Sequence, residues 1–217
     1  MTEVEWLVAM DPTAMLWFLG DRASERPLRL FECACIRRVW HELTDERSRL
    51  AVDVAEEYAD GLVTDENLEN IAAAASNAWP KNEEQFEPDN HLLISAAAYN
   101  VAIPMGWWGG APAFMPPSSI VQNAAPDPAT ERTAQASLLR DIFNPFCPAT
   151  VDHSWLTSSV VALAERIYQE RAFDRMPILA DALQEAGCDN ADILTHCRGD
   201  GPHVKGCWVV DLILGKQ

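Results

Sequence analysis

Five side chains that can ligate a soft or borderline metal ion, Cys188, His196, Cys197, His203 and Cys207, fall within twenty residues of one another. Zinc takes four such groups at the corners of a tetrahedron. The candidate set is Cys188, Cys197, His203 and Cys207. If the last segment is helical, His203 and Cys207 are four apart and face the same way, while Cys188 and Cys197 arrive from a short helix before it. The spacing holds no CxxC pair, and the adjacent His196 and Cys197 project about 100° apart on a helix. The competing reading makes these cysteines buried thiols, which pack as small apolar groups, with the histidines at caps or on the surface.

Other constellations are weaker. Cys33 and Cys35 point to nearly opposite sides of any helix that contains both, so a shared metal or disulfide there requires a broken helix. Cys33 and His41 lie closer to one face, but a nucleophile and base need hydrogen-bond reach and a third orienting group, and none is specified. The sequence carries no GxSxG elbow, P-loop, dinucleotide GxGxxG, HExxH or EF-hand loop. Asp53, Glu56, Glu57 and Asp60 cluster on one stretch of helix, where a solvated acidic face competes with a divalent-cation or acid–base site. Trp107, Trp108 and Phe114 stand among glycines and prolines and form the candidate partner-binding surface, because aromatic side chains cover much area with few rotatable bonds. The alternative is that this segment folds back and plugs the bundle.

The elements that must position these residues read as helices. Asp11-Pro12 and Asp127-Pro128 are cap-plus-proline starts. Leu28, Phe31, Cys35, Val39 and Leu43 recur at three- and four-residue steps. Thr44 and Thr64 open two further helices, the first running to Gly61, and HLLISAAAYNVAI reads as an apolar helix ended by Pro104. Val160, Leu163, Ala164 and Ile167 mark another, Asp174 and Asp189 cap two more, and the terminal HVKGCWVVDLILGK is expected to be a buried helix ending at Gly215. No strand alternation extends far enough to build a sheet.

The expected fold is therefore all-α, an orthogonal multi-helix bundle with a long irregular Gly/Pro/Trp-rich loop in its middle. Residues 1–79 form an N-terminal helical lobe and 80–126 a variable insert with the apolar helix and the aromatic loop. Residues 127–217 form a C-terminal lobe that packs with 1–79 as one compact unit.

A net charge of -17, from 33 acidic against 16 basic side chains, repels phosphate backbones and anionic lipid, so nucleic acid is an unpromising partner. No run of about 18 uncharged apolar residues is present, which excludes an ordinary transmembrane helix. Glu3, Glu5 and Asp11 stand where a secretory signal needs a basic start, and the six cysteines do not belong to a small disulfide scaffold. The expectation is a soluble cytoplasmic protein with free thiols.

At FECACIRRVW, LLRDIFNPFCP, FDRMPILADALQEAGC and ILTHCRGDGPHVKGCWVVDLILGK the chain resembles an uncharacterised family of bacterial, planctomycete-type proteins. The resemblance covers both ends and leaves roughly 80–125 as a variable insert. It implies a bacterial cytoplasmic setting and transfers no catalytic residue. The chain departs from the family's pattern where Ile36 follows Cys35, in place of a second cysteine, and where Cys147 stands in place of a basic residue.

These readings favour a non-enzymatic protein-interaction or regulatory module with an unidentified protein partner. The alternatives are a small zinc-stabilised protein or metalloenzyme built on the C-terminal Cys/His cluster, and an acidic inhibitor that imitates nucleic acid.

Overall fold

The computed structural model describes residues 1–77, 90–103, 115–146 and 150–216. Trp107, Trp108 and Phe114, the expected partner-binding residues, lie outside the described residues, as does Cys147. The described chain is all-α, with no strand among the described residues. Its helices are α1 (Glu3–Val8), α2 (Pro12–Leu19), α3 (Glu25–Arg38), α4 (Glu46–Ala59), α5 (Asp65–Ser76), α6 (Asn90–Val101), α7 (Pro117–Ala124), α8 (Pro128–Ile142), α9 (Ser158–Glu170), α10 (Met176–Glu185), α11 (Ala191–Arg198) and α12 (Trp208–Leu214). No helix among the described residues is long and apolar enough to cross a membrane.

Most helices begin where a short polar side chain can accept an otherwise unpaired N–H of the first turn. Asp11, Thr64, Asp127 and Thr157 do this for α2, α5, α8 and α9. Three expected caps shift by one residue: Asp45 caps α4 in place of Thr44, Asn190 caps α11 in place of Asp189, and α10 starts after Arg175, which makes no side-chain cap, in place of Asp174. Neighbouring Thr, Asp and Asn carry equivalent acceptors, so tertiary packing selects among them. Helix α7, beginning at Pro117 inside the Gly/Pro-rich stretch, was not foreshadowed by the density of helix-breaking residues there.

Three apolar clusters organise the helices. The first joins α3 to α4, α5, α6 and α7. A second joins α1, α2, α3 and α8 through Trp6, Met15, Leu19, Phe31, Leu138 and Leu139. The third is built wholly from the chain after residue 154, where α9 to α12 bury Val160, Ile167, Met176, Leu179, Leu183 and Val210. Truncating one of these fully buried side chains to alanine costs about 2–5 kcal/mol. The clusters divide the chain after α8, which shares its core with α1–α3.

Helix α3 is buried almost all round, as expected of a helix between two cores. Cys33 faces the first cluster and Cys35 the second, opposite sides of one helix. The same helix carries two buried charges of opposite sign. Arg29 donates to the Val101 and Ile103 carbonyls at the end of α6. Glu32 accepts from the Ser118 backbone N–H and hydroxyl in the first turn of α7. Each charge meets the helix terminus of complementary dipole.

Candidate metal centre

The last turn of α8 places Asp141 against the second half of the chain. Its carboxylate Oδ1 lies 2.7 Å from His203 Nδ1 and 3.1 Å from His196 Nε2, and Oδ2 accepts the Val204 backbone N–H at 2.9 Å. Cys207 Sγ completes the group, 3.3 Å from His196 Nε2 and 3.9 Å from His203 Nδ1. One ligand atom from each of Asp141, His196, His203 and Cys207 lies within 4.8 Å of all the others. Bonds of about 2.0–2.3 Å to a tetrahedral zinc put its ligand atoms roughly 3.3–3.6 Å apart. The separations of 2.7 to 3.9 Å between these atoms bracket that range, so closing on an ion takes small side-chain shifts.

Three segments build the group, each for a local reason. Asn190 starts α11, which carries His196 in its last turn. Residues 203–207 are not helical, contrary to the expectation from sequence, and α12 begins only at Trp208. A turn closed by the Cys207 N–H on the Val204 carbonyl, with Gly206 at φ +92°, brings Cys207 back toward His203. The pair meets through that turn rather than through a shared helix face. Gly206 is required there because a Cβ would lie 3.1 Å from the Leu30 side chain, in a backbone conformation that L residues rarely adopt.

Of the four residues expected to ligate, the structure brings His203 and Cys207 together. Cys188 and Cys197 are not members of the group and lie in the core of α9–α12 as buried thiols. Asp141 and His196 stand in their place. His196 was visible in sequence as part of the cluster, but Asp141 was not, because an aspartate 55 residues upstream of the nearest partner carries no spacing signal. All five described cysteines are free.

The site is nearly closed to solvent, with side-chain exposures of 2% for Asp141, 7% for His203 and 17% for His196. Burial by itself would raise the Asp141 carboxyl, but the hydrogen bonds from His196 and His203 overcome it and hold the group below its usual value. Burial pushes the Cys207 thiol well above its ordinary value, and the Asp141 charge pushes the same way. Without a cation Cys207 is thus a thiol and not a nucleophile. A divalent cation reverses this balance, since a thiolate, a carboxylate and two neutral imidazoles around it sum to zero charge.

The orientation of the rings separates metal binding from catalytic relay. A nucleophile–base–acid relay uses both nitrogens of one histidine, one toward the nucleophile and the other toward the carboxylate. Here Asp141 and Cys207 face the same nitrogen in each ring, Nε2 of His196 and Nδ1 of His203. Convergence on one point is the geometry of ligation. The far nitrogen of His196 accepts the Trp208 indole N–H at 3.1 Å, a bond that fixes the ring only while Nδ1 carries no proton. The far nitrogen of His203 is buried without a partner among the described residues.

Of the acidic cluster on α4, Glu57 is exposed and the other three carboxylates are ion-paired rather than assembled into a site. Glu56 is buried against Arg37 and Arg171, Asp53 pairs with Arg37, and Asp60 meets Arg26, Lys216 and the Tyr168 hydroxyl.

No family model matches the chain, and no curated protein or solved structure matches it.

Proposed function

We propose that this protein is a non-enzymatic module that holds one zinc-class ion at Asp141, His196, His203 and Cys207, where the metal is structural. The observation that carries this reading is the convergence of four ligand atoms, from three separate stretches of chain, on one buried point. The ligand chemistry selects the metal class. Two imidazoles and a thiolate suit zinc and its neighbours, whereas calcium and magnesium ask for six or more oxygens. Four protein ligands fill a tetrahedron and leave no position for substrate, which distinguishes structural from catalytic zinc.

An interaction role fits the remaining surface. Helix α1 turns Val4, Leu7 and Val8 outward, and Met10 and Trp17 stand exposed beside it. Exposed apolar surface of this kind is what an acidic helical body offers to another protein. The resemblance to the planctomycete-type family adds a bacterial setting and no catalytic role.

The test is elemental analysis of protein purified without a metal-chelating tag, followed by cobalt(II) substitution. Near-stoichiometric zinc is expected, and cobalt is expected to give a thiolate charge-transfer band that disappears in Cys207→Ser. His203→Ala should lose the metal, while Cys188→Ala and Cys197→Ala should retain it. Metal-free protein with unchanged stability, or metal lost in the Cys188 variant but kept in the Cys207 variant, would sink the assignment.

A further inference from the structure

We infer that the metal ion is a removable fastener between two self-cored units, residues 1–146 and 150–216, and that its occupancy sets whether the second unit stays docked on the first. The inference rests on the metal-binding reading above and adds what the metal does there. Extensive helix packing stays within each group: α9, α10, α11 and α12 pack on one another, and α2 to α8 on one another. The apolar cluster of the second unit contains no residue of the first.

What joins the units is chiefly polar. Arg26 pairs with Asp211 and donates to the Tyr168 hydroxyl. Asp60 accepts from Tyr168 and meets Lys216 at 3.1 Å, and Arg171 pairs with Glu56. Apolar contact adds to this where Val204 reaches the cluster of α1–α3 and α8, and where Gly206 sits under Leu30 and Ile142. Ion pairs at such a boundary give little net docking strength, since their attraction is offset by desolvation. Units whose boundary is rich in such pairs move relative to each other more readily than units joined by a large hydrophobic one.

The metal group straddles this boundary. Asp141 belongs to α8 and the core of the first unit, while His196, His203 and Cys207 all belong to the second. A bound ion therefore bonds to both units at once. Undocking leaves three ligands and an open coordination position, so the ion binds the docked form more tightly. By linkage, free zinc at 100 times its dissociation constant from the docked form raises the ratio of docked to undocked protein by about 100-fold, if the undocked form holds it negligibly. A cleft of about 420 Å³ along the boundary, lined in part by Trp6, Arg140, Phe143, Thr195, His196 and Trp208, gives solvent a route to the site. The ion can leave and return without unfolding either core.

The experiment uses the full chain, zinc-loaded and after removal of zinc by a chelator, compared by calorimetry, far-ultraviolet circular dichroism and small-angle scattering. Loaded protein should melt in a single transition. Zinc-free protein should keep its helical signal, melt in two transitions and show an increased radius of gyration, all reversed by added zinc. Asp141→Ala should resemble the zinc-free state even in zinc and bind the ion roughly 100-fold or more weakly. If that variant does not fold, the chelated wild type decides alone. Absence of bound zinc in the wild type overturns the metal reading itself. Zinc bound, but with one transition and an unchanged radius after removal, overturns the fastener and leaves the metal reading standing. Loss of the helical signal on chelation also overturns the fastener, because the ion would then be a staple inside one unit.

Discussion

Glu32 shows what burial does to a single charge. It lies 4% exposed between two cores, and burial pushes its carboxyl up to about 7 against the opposing hydrogen bonds from Ser118. The unfolded chain releases that proton near pH 4.5, so stability falls as pH rises from there to about 7 and is constant above. Glu32→Gln has no proton to lose, and its stability relative to wild type should grow by about 2 kcal/mol between pH 5 and pH 8, because each tenfold difference in proton affinity is worth roughly 1.4 kcal/mol. Urea titrations at the two values check this, and equal differences would mean that Glu32 ionises as it does in the unfolded chain. Trp208 offers a second residue-scale test. Its indole N–H points at His196 Nδ1, so Nε2 carries the ring proton toward Asp141 in the metal-free state. Metal on Nε2 leaves the proton on Nδ1, where the indole N–H stands, and the indole must turn. Zinc titration is expected to change tryptophan emission in the wild type and to leave it unchanged in Trp208→Phe. An identical change in both would assign the signal to another tryptophan.

At the scale of elements, the turn before α12 and the start of α11 decide whether the ligands meet. Gly206 and Gly187 both have positive φ, but only Gly206 has a neighbour that a Cβ would meet. Gly187→Ala therefore reports backbone strain alone, about 1–2 kcal/mol. Gly206→Ala adds a collision with Leu30 and displaces Cys207, and should cost more and lower zinc content as well. Equal loss of stability in the two, with zinc retained, would show that the turn has room to relax. Helix α3 is the other decisive element. Its periodic apolar residues announce a helix, yet Arg29 and Glu32 break the amphipathic pattern because they cap α6 and α7 rather than face water.

Across the whole molecule, the boundary between the units is held by charges whose ionisation depends on pH. Burial alone would raise Glu56 and Asp60. Hydrogen bonds from Arg37 and Arg171 to Glu56, and from Tyr168, Lys216 and Arg26 to Asp60, overcome it and hold both below their usual range. Their contribution is complete above the ordinary carboxylate value near 4 and is lost as pH falls through the lowered values. Acidification should expand the chain, read as an increased radius of gyration, before the helical signal declines. Simultaneous loss of both would tie the boundary to the integrity of the cores. Asp211 opposes the trend, since burial raises its carboxyl despite Arg26.

Local chemistry alone specified that this chain is helical and where most helices begin. Helical periodicity and capping involve residues a few positions apart, so they are written in order along the sequence. It also supplied the pool of thiols and imidazoles near residues 188–207. Tertiary structure alone chose among them: Cys188 and Cys197 went to the core of α9–α12, while Asp141 was brought to His196, His203 and Cys207 from another unit. A coordination sphere is defined by where atoms end in space. Long-range packing sets that, and no spacing rule records it.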